Sequence, residues 1–137
     1  MMRESLAARF RGAYGGEPAL EVRAPGRVNL LGEHIDYCGL PVLPMALQRG
    51  ITLVARPRSG AAVRVTNLSP DFPERRFRMS PEIPPLGQGD WGNYAQAAAR
   101  AVIRRYPGVS GIDAVVGSDL PIAAGLSSSA ALVVAVA

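Results

Sequence analysis

The spacing of hydrophobic residues changes along the chain, and each change predicts a new secondary-structure element. Residues 2–14 place Leu6 and Phe10 four positions apart, which is the spacing of one helix face, and Gly15 and Gly16 end that helix. Apolar and polar residues alternate over 20–24 and 62–66, which is the pattern of half-buried strands, and further extended segments lie between and after these two. These predicted strands cover residues 20–24, 27–31, 42–47, 51–56, 62–66 and 76–79.

Two of these strands, 42–47 and 51–56, are separated only by residues 48–50, so we expect them to form a hairpin. Residues 80–90 contain three prolines and two glycines, which predicts an irregular surface loop. The remaining predicted elements are a helix over 91–106, a buried strand over 112–116 and a helix that begins near Ser127.

The order of these elements indicates an α+β domain with a mixed, mainly antiparallel sheet. No internal repeat or linker divides the chain, so we interpret residues 1–137 as a single unit. The last predicted helix is still apolar at Ala137 and has no closing Gly, Asn, Pro or charged turn. We therefore expect the chain to be a truncated part of a longer protein.

Charge and composition exclude several kinds of chemistry. The formal net charge is +4, and all 15 basic residues are arginines. Without lysine there is no P-loop lysine, no Schiff-base lysine and no strand lysine of a protein kinase. The arginines are dispersed and few aromatic residues accompany them, so we expect no nucleic-acid partner.

The single cysteine, Cys38, excludes an internal disulfide and is typical of a reducing compartment. The first ten residues lack the apolar core of a secretory signal, and the apolar run at 130–137 is too short to span a bilayer. We therefore expect a cytoplasmic protein with no membrane partner.

Residues 119–132 predict an anion site at the start of the last helix. A helix N-terminus offers free backbone N–H groups and the positive end of the helix dipole. Small residues before it let the backbone approach a phosphate, and serine hydroxyls add donors, one of which can ligate Mg²⁺. The alternative is a helix that its serines cap without any ligand. The candidate residues are Ala123, Ala124, Gly125, Leu126, Ser127, Ser128 and Ser129.

A second polar cluster lies within residues 23–47. Two carboxylates and an imidazole, at Glu33, Asp36 and His34, suit the hydroxyls of a polyhydroxylated ligand. Arg27 is always charged and suits a phosphate oxygen or developing negative charge. A structural histidine or a metal site are the alternatives, although the i, i+1, i+3 spacing is poor for a tetrahedral metal.

Together, these two segments resemble the galactokinase family of the GHMP kinase superfamily. The eleven residues from Arg27 to Tyr37 are similar to the galactokinase signature, and the run Gly-Leu-Ser-Ser-Ser-Ala-Ala from Gly125 is similar to the superfamily's phosphate-binding loop. The resemblance implies the N-terminal domain of these kinases, of the ribosomal protein S5 domain 2 type, with helices on one face of the sheet. It also implies phosphorylation of the anomeric hydroxyl of galactose or a similar sugar by ATP with Mg²⁺, and a monomer at full length.

The resemblance further implies a role for each candidate residue. Arg27 is the expected catalytic residue, and Trp91 is expected near the nucleotide base. The loop from Ala123 to Ser129 would hold the nucleotide phosphates, with the Ser129 hydroxyl on Mg²⁺. The expected sugar-binding residues are Glu33, His34, Asp36 and Tyr37.

The chain departs from the family pattern in three places. Ala123 and Ala124 stand where glycines are common, which narrows the room for a phosphate. Ile35 and Cys38 stand where galactokinases usually carry Thr and Asn, which favours the alternative of an N-acetylgalactosamine kinase.

A non-catalytic galactokinase-like sensor of sugar and ATP is the other alternative. The family's catalytic aspartate and C-terminal domain would lie beyond residue 137, so we expect the chain alone to be inactive.

Overall fold

The computed structural model describes residues 2–32, 34–121 and 125–137, with Asp36 described by its backbone alone. The sheet and its helices account for most of these residues. In chain order the elements are helix α1 (Met2–Tyr14), strand β1 (Leu20–Leu31), a 3-10 turn (Asp36–Cys38), strand β2 (Leu43–Pro57), strand β3 (Ala62–Asn67), strand β4 (Arg75–Arg78), helix α2 (Gly92–Arg105), strand β5 (Ile112–Ser118) and helix α3 (Ser128–Val136).

The five strands form one sheet in the order β1-β2-β5-β3-β4. Every neighbouring pair is antiparallel except β3 and β5, which run parallel. The α+β class and the mixed, mainly antiparallel sheet are therefore confirmed. Strand β5 lies in the middle, and its residues Ala114, Val115 and Val116 are at most 1% exposed.

Helices cover both faces of this sheet. Successive residues of a strand point to opposite faces, so Leu53 and Val54 face different layers. Val54 and Val115 pack with Leu6 and Phe10 of α1. Leu53 and its same-face neighbours pack in a separate cluster that includes residues of α3. The expectation of helices on one face holds for α2 and α3, which contact each other, and is wrong for α1.

The predicted hairpin of 42–47 and 51–56 is wrong, because both segments belong to the single strand β2. One partner of β2 is β1, which joins the two predicted pieces 20–24 and 27–31. Gly50 lies opposite Pro25, and a Cβ on Gly50 would collide with the backbone of Ala24 and Pro25. Gly50 is thus needed for close approach of two strands and does not form a turn.

The other predicted elements are present in the structure. Strands β3 and β4 pair antiparallel, residues 80–90 contain no helix or strand, and α2 and β5 lie where the pattern predicts. Of the helices described here, none has both the length and the hydropathy that crossing a membrane requires.

Candidate active site

Strands β1 and β2 continue past the end of β5 as a two-stranded ribbon, and the loop after β5 is bonded to that ribbon. Pairing between β2 and β5 stops at Ile51 and Ser118, whereas β1 and β2 remain paired up to Leu31 and Leu43. At this junction the Gly50 N–H donates to Asp119 Oδ1 at 2.5 Å, and the Asp119 N–H donates to the Gly50 carbonyl at 3.2 Å. The sheet therefore fixes where the loop toward α3 begins.

The far end of the same loop is bonded to β1. The Arg27 N–H donates to the Leu126 carbonyl at 3.2 Å. Gly26 makes this approach possible, because a Cβ there would lie 2.5 Å from Leu120 Cδ2 and 3.0 Å from the Leu126 carbonyl oxygen. The main contribution of Leu126 in this structure is thus a backbone link, and its side chain packs against the core.

The structure brings the side chains of Arg27 and Ser127 together. Arg27 Nε and Nη2 donate to Ser127 Oγ at 3.1 Å and 2.9 Å, and Arg27 Nη1 donates to Asn29 Oδ1 at 3.1 Å. A permanently charged guanidinium therefore lies beside the first residues of α3, where the helix dipole also favours negative charge. Both groups suit a phosphate.

Ser127 does not cap α3 through its side chain. Its φ of 57° and ψ of 36° are left-handed, and its hydroxyl makes no capping hydrogen bond. Gly125 also has a positive φ, of 68°. The structure therefore does not support the alternative in which the Ser127 hydroxyl caps the helix. Ala123 and Ala124 lie outside the described residues.

A cavity of about 270 Å³ opens beside the start of α3. Ser128 and Ser129 line it from α3, and Trp91 and Tyr94 line it from the start of α2. Phe72 completes its aromatic wall. The cavity thus joins serine hydroxyls at a helix N-terminus to a mainly aromatic and aliphatic pocket, which is the combination that a nucleotide requires.

Trp91 lines this cavity and also belongs to the core. It is 8% exposed, its Nε1–H donates to the Pro73 carbonyl at 3.0 Å, and its ring packs edge-to-face on Phe72. The neighbouring Tyr94 is 43% exposed and is the more accessible ring. Tyr94 follows Trp91 by three residues, a spacing that puts both on one helix face. Phe72 lies in a turn, and no sequence pattern predicts that it lines this cavity.

An ion pair fixes the start of α2 and with it the position of Trp91. Arg75 donates to both oxygens of Asp90, with the shortest contact, from Nη2 to Oδ2, at 2.7 Å. Asp90 also accepts from the Gly92 N–H at 2.8 Å. Hydrogen bonds from Arg75 lower the pKa of the Asp90 carboxyl, so this anchor is charged at neutral pH.

The predicted sugar-binding residues belong to the connection at the tip of the ribbon. His34 has a φ of 59° and an exposed side chain, and its ring packs edge-to-face on Tyr37 with centroids 6.4 Å apart. Tyr37 is 75% exposed. Glu33 and the side chain of Asp36 lie outside the described residues. Among the residues that the structure describes, no group of three His, Cys, Asp or Glu could hold a metal ion.

Ile35 has a packing role in this connection. Gly32 has a φ of 90°, and a Cβ on it would lie 2.7 Å from Val42 Cγ1 and 3.1 Å from Ile35 Cδ1. The Cys38 N–H donates to the Ile35 carbonyl at 3.0 Å, which closes the 3-10 turn. Ile35 is half-buried over this turn, and Cys38 is exposed.

Two family models match the chain. The galactokinase galactose-binding signature matches residues 8–57, and the GHMP kinases N terminal domain matches residues 93–137. A galactokinase of Canis lupus familiaris is 44% identical over 134 residues, covering 92% of this chain and 33% of the relative. A galactokinase of Roseiflexus sp. is 42% identical over 132 residues, covering 96% of this chain and 33% of the relative. The chain spans about a third of the length of these curated relatives.

Solved structures agree with these matches. The galactokinase of Lactococcus lactis complexed with galactose superposes with a TM-score of 0.84 at 29% identity, over 99% of this chain and 36% of the other. The mevalonate kinase of Methanococcus jannaschii superposes with a TM-score of 0.69 at 22% identity, over 88% of this chain and 38% of the other, and shares the fold alone. The fold and the helix-start loop thus define the N-terminal domain of a GHMP kinase. Within that class, the signature and the curated relatives place the chain in the galactokinase family.

Proposed function

We propose that this chain supplies the sugar-binding and phosphate-binding part of a sugar 1-kinase. The full-length protein would transfer the γ-phosphoryl group of ATP to the anomeric hydroxyl of galactose or a galactose-like sugar, giving the sugar 1-phosphate and ADP. The proton of that hydroxyl would pass to a base outside these residues, since none of the side chains described at the site is placed as one. ATP supplies the phosphoryl group when bound, and Mg²⁺ offsets the charge of its phosphates.

The observation that supports this proposal best is the contact between Arg27 and Ser127. The two residues are 100 positions apart in the chain, one on the signature strand and the other at the start of α3. Their contact joins the segment expected to bind sugar to the segment expected to bind phosphate. A kinase needs this proximity, because the attacking oxygen and the phosphorus must approach to about 3–3.5 Å.

The described residues fit a nucleotide and a metal ion. The hydroxyls of Ser128 and Ser129 line the cavity at the N-terminus of α3, and no protein group engages either of them among the residues described. We assign the phosphates to residues 123–129, Mg²⁺ to the Ser129 hydroxyl, and the base to the wall that Trp91 and Tyr94 form. His34 and Tyr37, with Glu33 and Asp36, would bind sugar hydroxyls.

The test is an ADP-release assay on the full-length protein with galactose and N-acetylgalactosamine. We expect Arg27→Ala to lower kcat by about 10²-fold or more with little change in the sugar KM, because Arg27 acts on charge that develops in the transition state. Arg49→Ala is the matched control, since Arg49 is exposed on the same ribbon. A raised KM with unchanged kcat in Arg27→Ala would make Arg27 a ground-state binding residue.

The same assay separates the alternatives. Faster turnover of N-acetylgalactosamine than of galactose would assign the sugar, and binding of sugar and ATP without ADP release would indicate a sensor. We expect residues 1–137 alone to release no ADP. Sugar-dependent release by a monodisperse sample of this chain would mean that the base lies within it.

A further inference from the structure

The Arg27 guanidinium donates two hydrogen bonds to the hydroxyl oxygen of Ser127. Two N–H groups on the same edge of the guanidinium donate to the single oxygen of Ser127, at 3.1 Å and 2.9 Å. A serine hydroxyl has two acceptor lone pairs and one donor hydrogen. Both acceptor positions are thus directed at Arg27, and the hydroxyl keeps only its hydrogen for another partner.

The backbone of the loop is arranged for this contact. Ser127 adopts a left-handed conformation that few residues other than glycine adopt. The neighbouring Leu126 carbonyl accepts the Arg27 N–H, so main chain and side chain of Arg27 are bonded to consecutive loop residues. Asn29, two residues along β1, holds Arg27 Nη1. A serine that served only as a helix cap or a phosphate donor would need none of these contacts.

We propose that Ser127 is a positioning residue for Arg27, which it holds at the phosphate end of the site by accepting both N–H groups of one guanidinium edge. This inference rests on the proposed function, which assigns Arg27 to the transferring phosphoryl group. It differs from the role that resemblance alone assigns to Ser127, which is direct contact with nucleotide phosphates. Ser128 and Ser129, which line the cavity, remain the serines for the nucleotide.

Ser127→Gly tests the proposal in the full-length protein, because glycine accepts the left-handed backbone and removes the hydroxymethyl side chain that Arg27 contacts. Displacing a catalytic group by about 1 Å can cost on the order of 10²-fold in rate. We therefore expect kcat to fall by about 10–100-fold, while the KM values for ATP and sugar stay within about threefold. Ser59→Gly, at an exposed position, is the matched control.

A double-mutant cycle separates positioning from phosphate binding. If Ser127 acts through Arg27, adding Ser127→Gly to Arg27→Ala should change kcat by less than about twofold, because Ser127 then has no guanidinium left to position. An equal loss in both backgrounds, or a raised ATP KM with unchanged kcat, would overturn the proposal. A crystal structure of Ser127→Gly gives an independent measurement. Arg27 should leave its present position, and an unmoved Arg27 would contradict the proposal even if the wild type proved to have no kinase activity.

Discussion

Asp113 is the most deeply buried charge of the described sheet, and its removal should destabilise the domain measurably. Its side chain is 3% exposed and lies among three arginines from β2, β3 and the chain between them. Arg64 donates to both of its oxygens at 2.7 Å and 2.8 Å, Arg58 donates to Oδ1 at 2.7 Å, and Arg56 Nη2 lies 3.5 Å from Oδ2. The carboxylate thus holds the parallel pair β3 and β5 together at its edge.

The size of the effect follows from the carboxyl's pKa. Burial alone raises the pKa of Asp113, but hydrogen bonds from Arg64 and Arg58 outweigh it and lower the pKa from 3.8 to about 2. At about 1.36 kcal/mol for each pKa unit, this difference of nearly two units corresponds to roughly 2–3 kcal/mol. Breaking a buried ion pair costs about 3–5 kcal/mol. The arginines here are partly exposed to water, so we expect a cost near the lower end of that range. We expect a loss of about 2–3 kcal/mol.

The variant Asp113→Asn keeps the shape of the side chain and removes its charge. Native-state hydrogen exchange on the β5 amides of the full-length protein reads the local stability, and a loss of about 2–3 kcal/mol speeds exchange by about 30–150-fold. Glu17→Gln is the control, because the Arg11–Glu17 pair is exposed and should change exchange by less than about threefold. An Asp113→Asn variant that exchanges within about threefold of the wild type would refute this account of the arginine cluster.

Four further outcomes are expected. Because the pKa of Asp113 is depressed on folding, its contribution should be complete above about pH 4 and lost as pH falls toward about 2; urea unfolding should show this loss in the wild type and not in Asp113→Asn. Gly12 lies on α1 with open space around it, so Gly12→Ala should stabilise the domain by up to about 1 kcal/mol. A Cβ on Gly111 would collide with the Ala62 backbone, so Gly111→Ala should destabilise the domain by about 1–3 kcal/mol, and thermal melts measure both changes. Tyr94→Ala should raise the ATP KM about tenfold and leave the sugar KM unchanged, as expected for loss of one aromatic contact with a base.

The sequence predicts the elements better than their pairing. Local periodicity predicts the positions of helix α1 and of strands β3 and β5, because each of these elements buries one or both of its faces. The wrong hairpin came from interpreting Gly50 as a turn residue. Its missing Cβ serves the approach of β1, a contact between positions 25 and 50 that no local rule detects. The same limit applies to α1, since a period of 3.6 shows which side of a helix is apolar and not which face of a sheet it covers.

The candidate site depends on this non-local pairing. Motif residues identify Arg27 and the serine loop separately, but their contact requires that β1 keep its register with β2 and that Asp119 bond to Gly50. A shift of one residue in that register would turn Arg27 to the opposite face of the ribbon. The geometry of the candidate site is therefore set by interactions in the sheet, where Gly26 and Gly50 allow close backbone contacts, and not by the polar residues themselves. Substitutions at these two glycines should accordingly impair the site, because a Cβ on Gly26 would collide with Leu120 and a Cβ on Gly50 would collide with the Ala24 backbone.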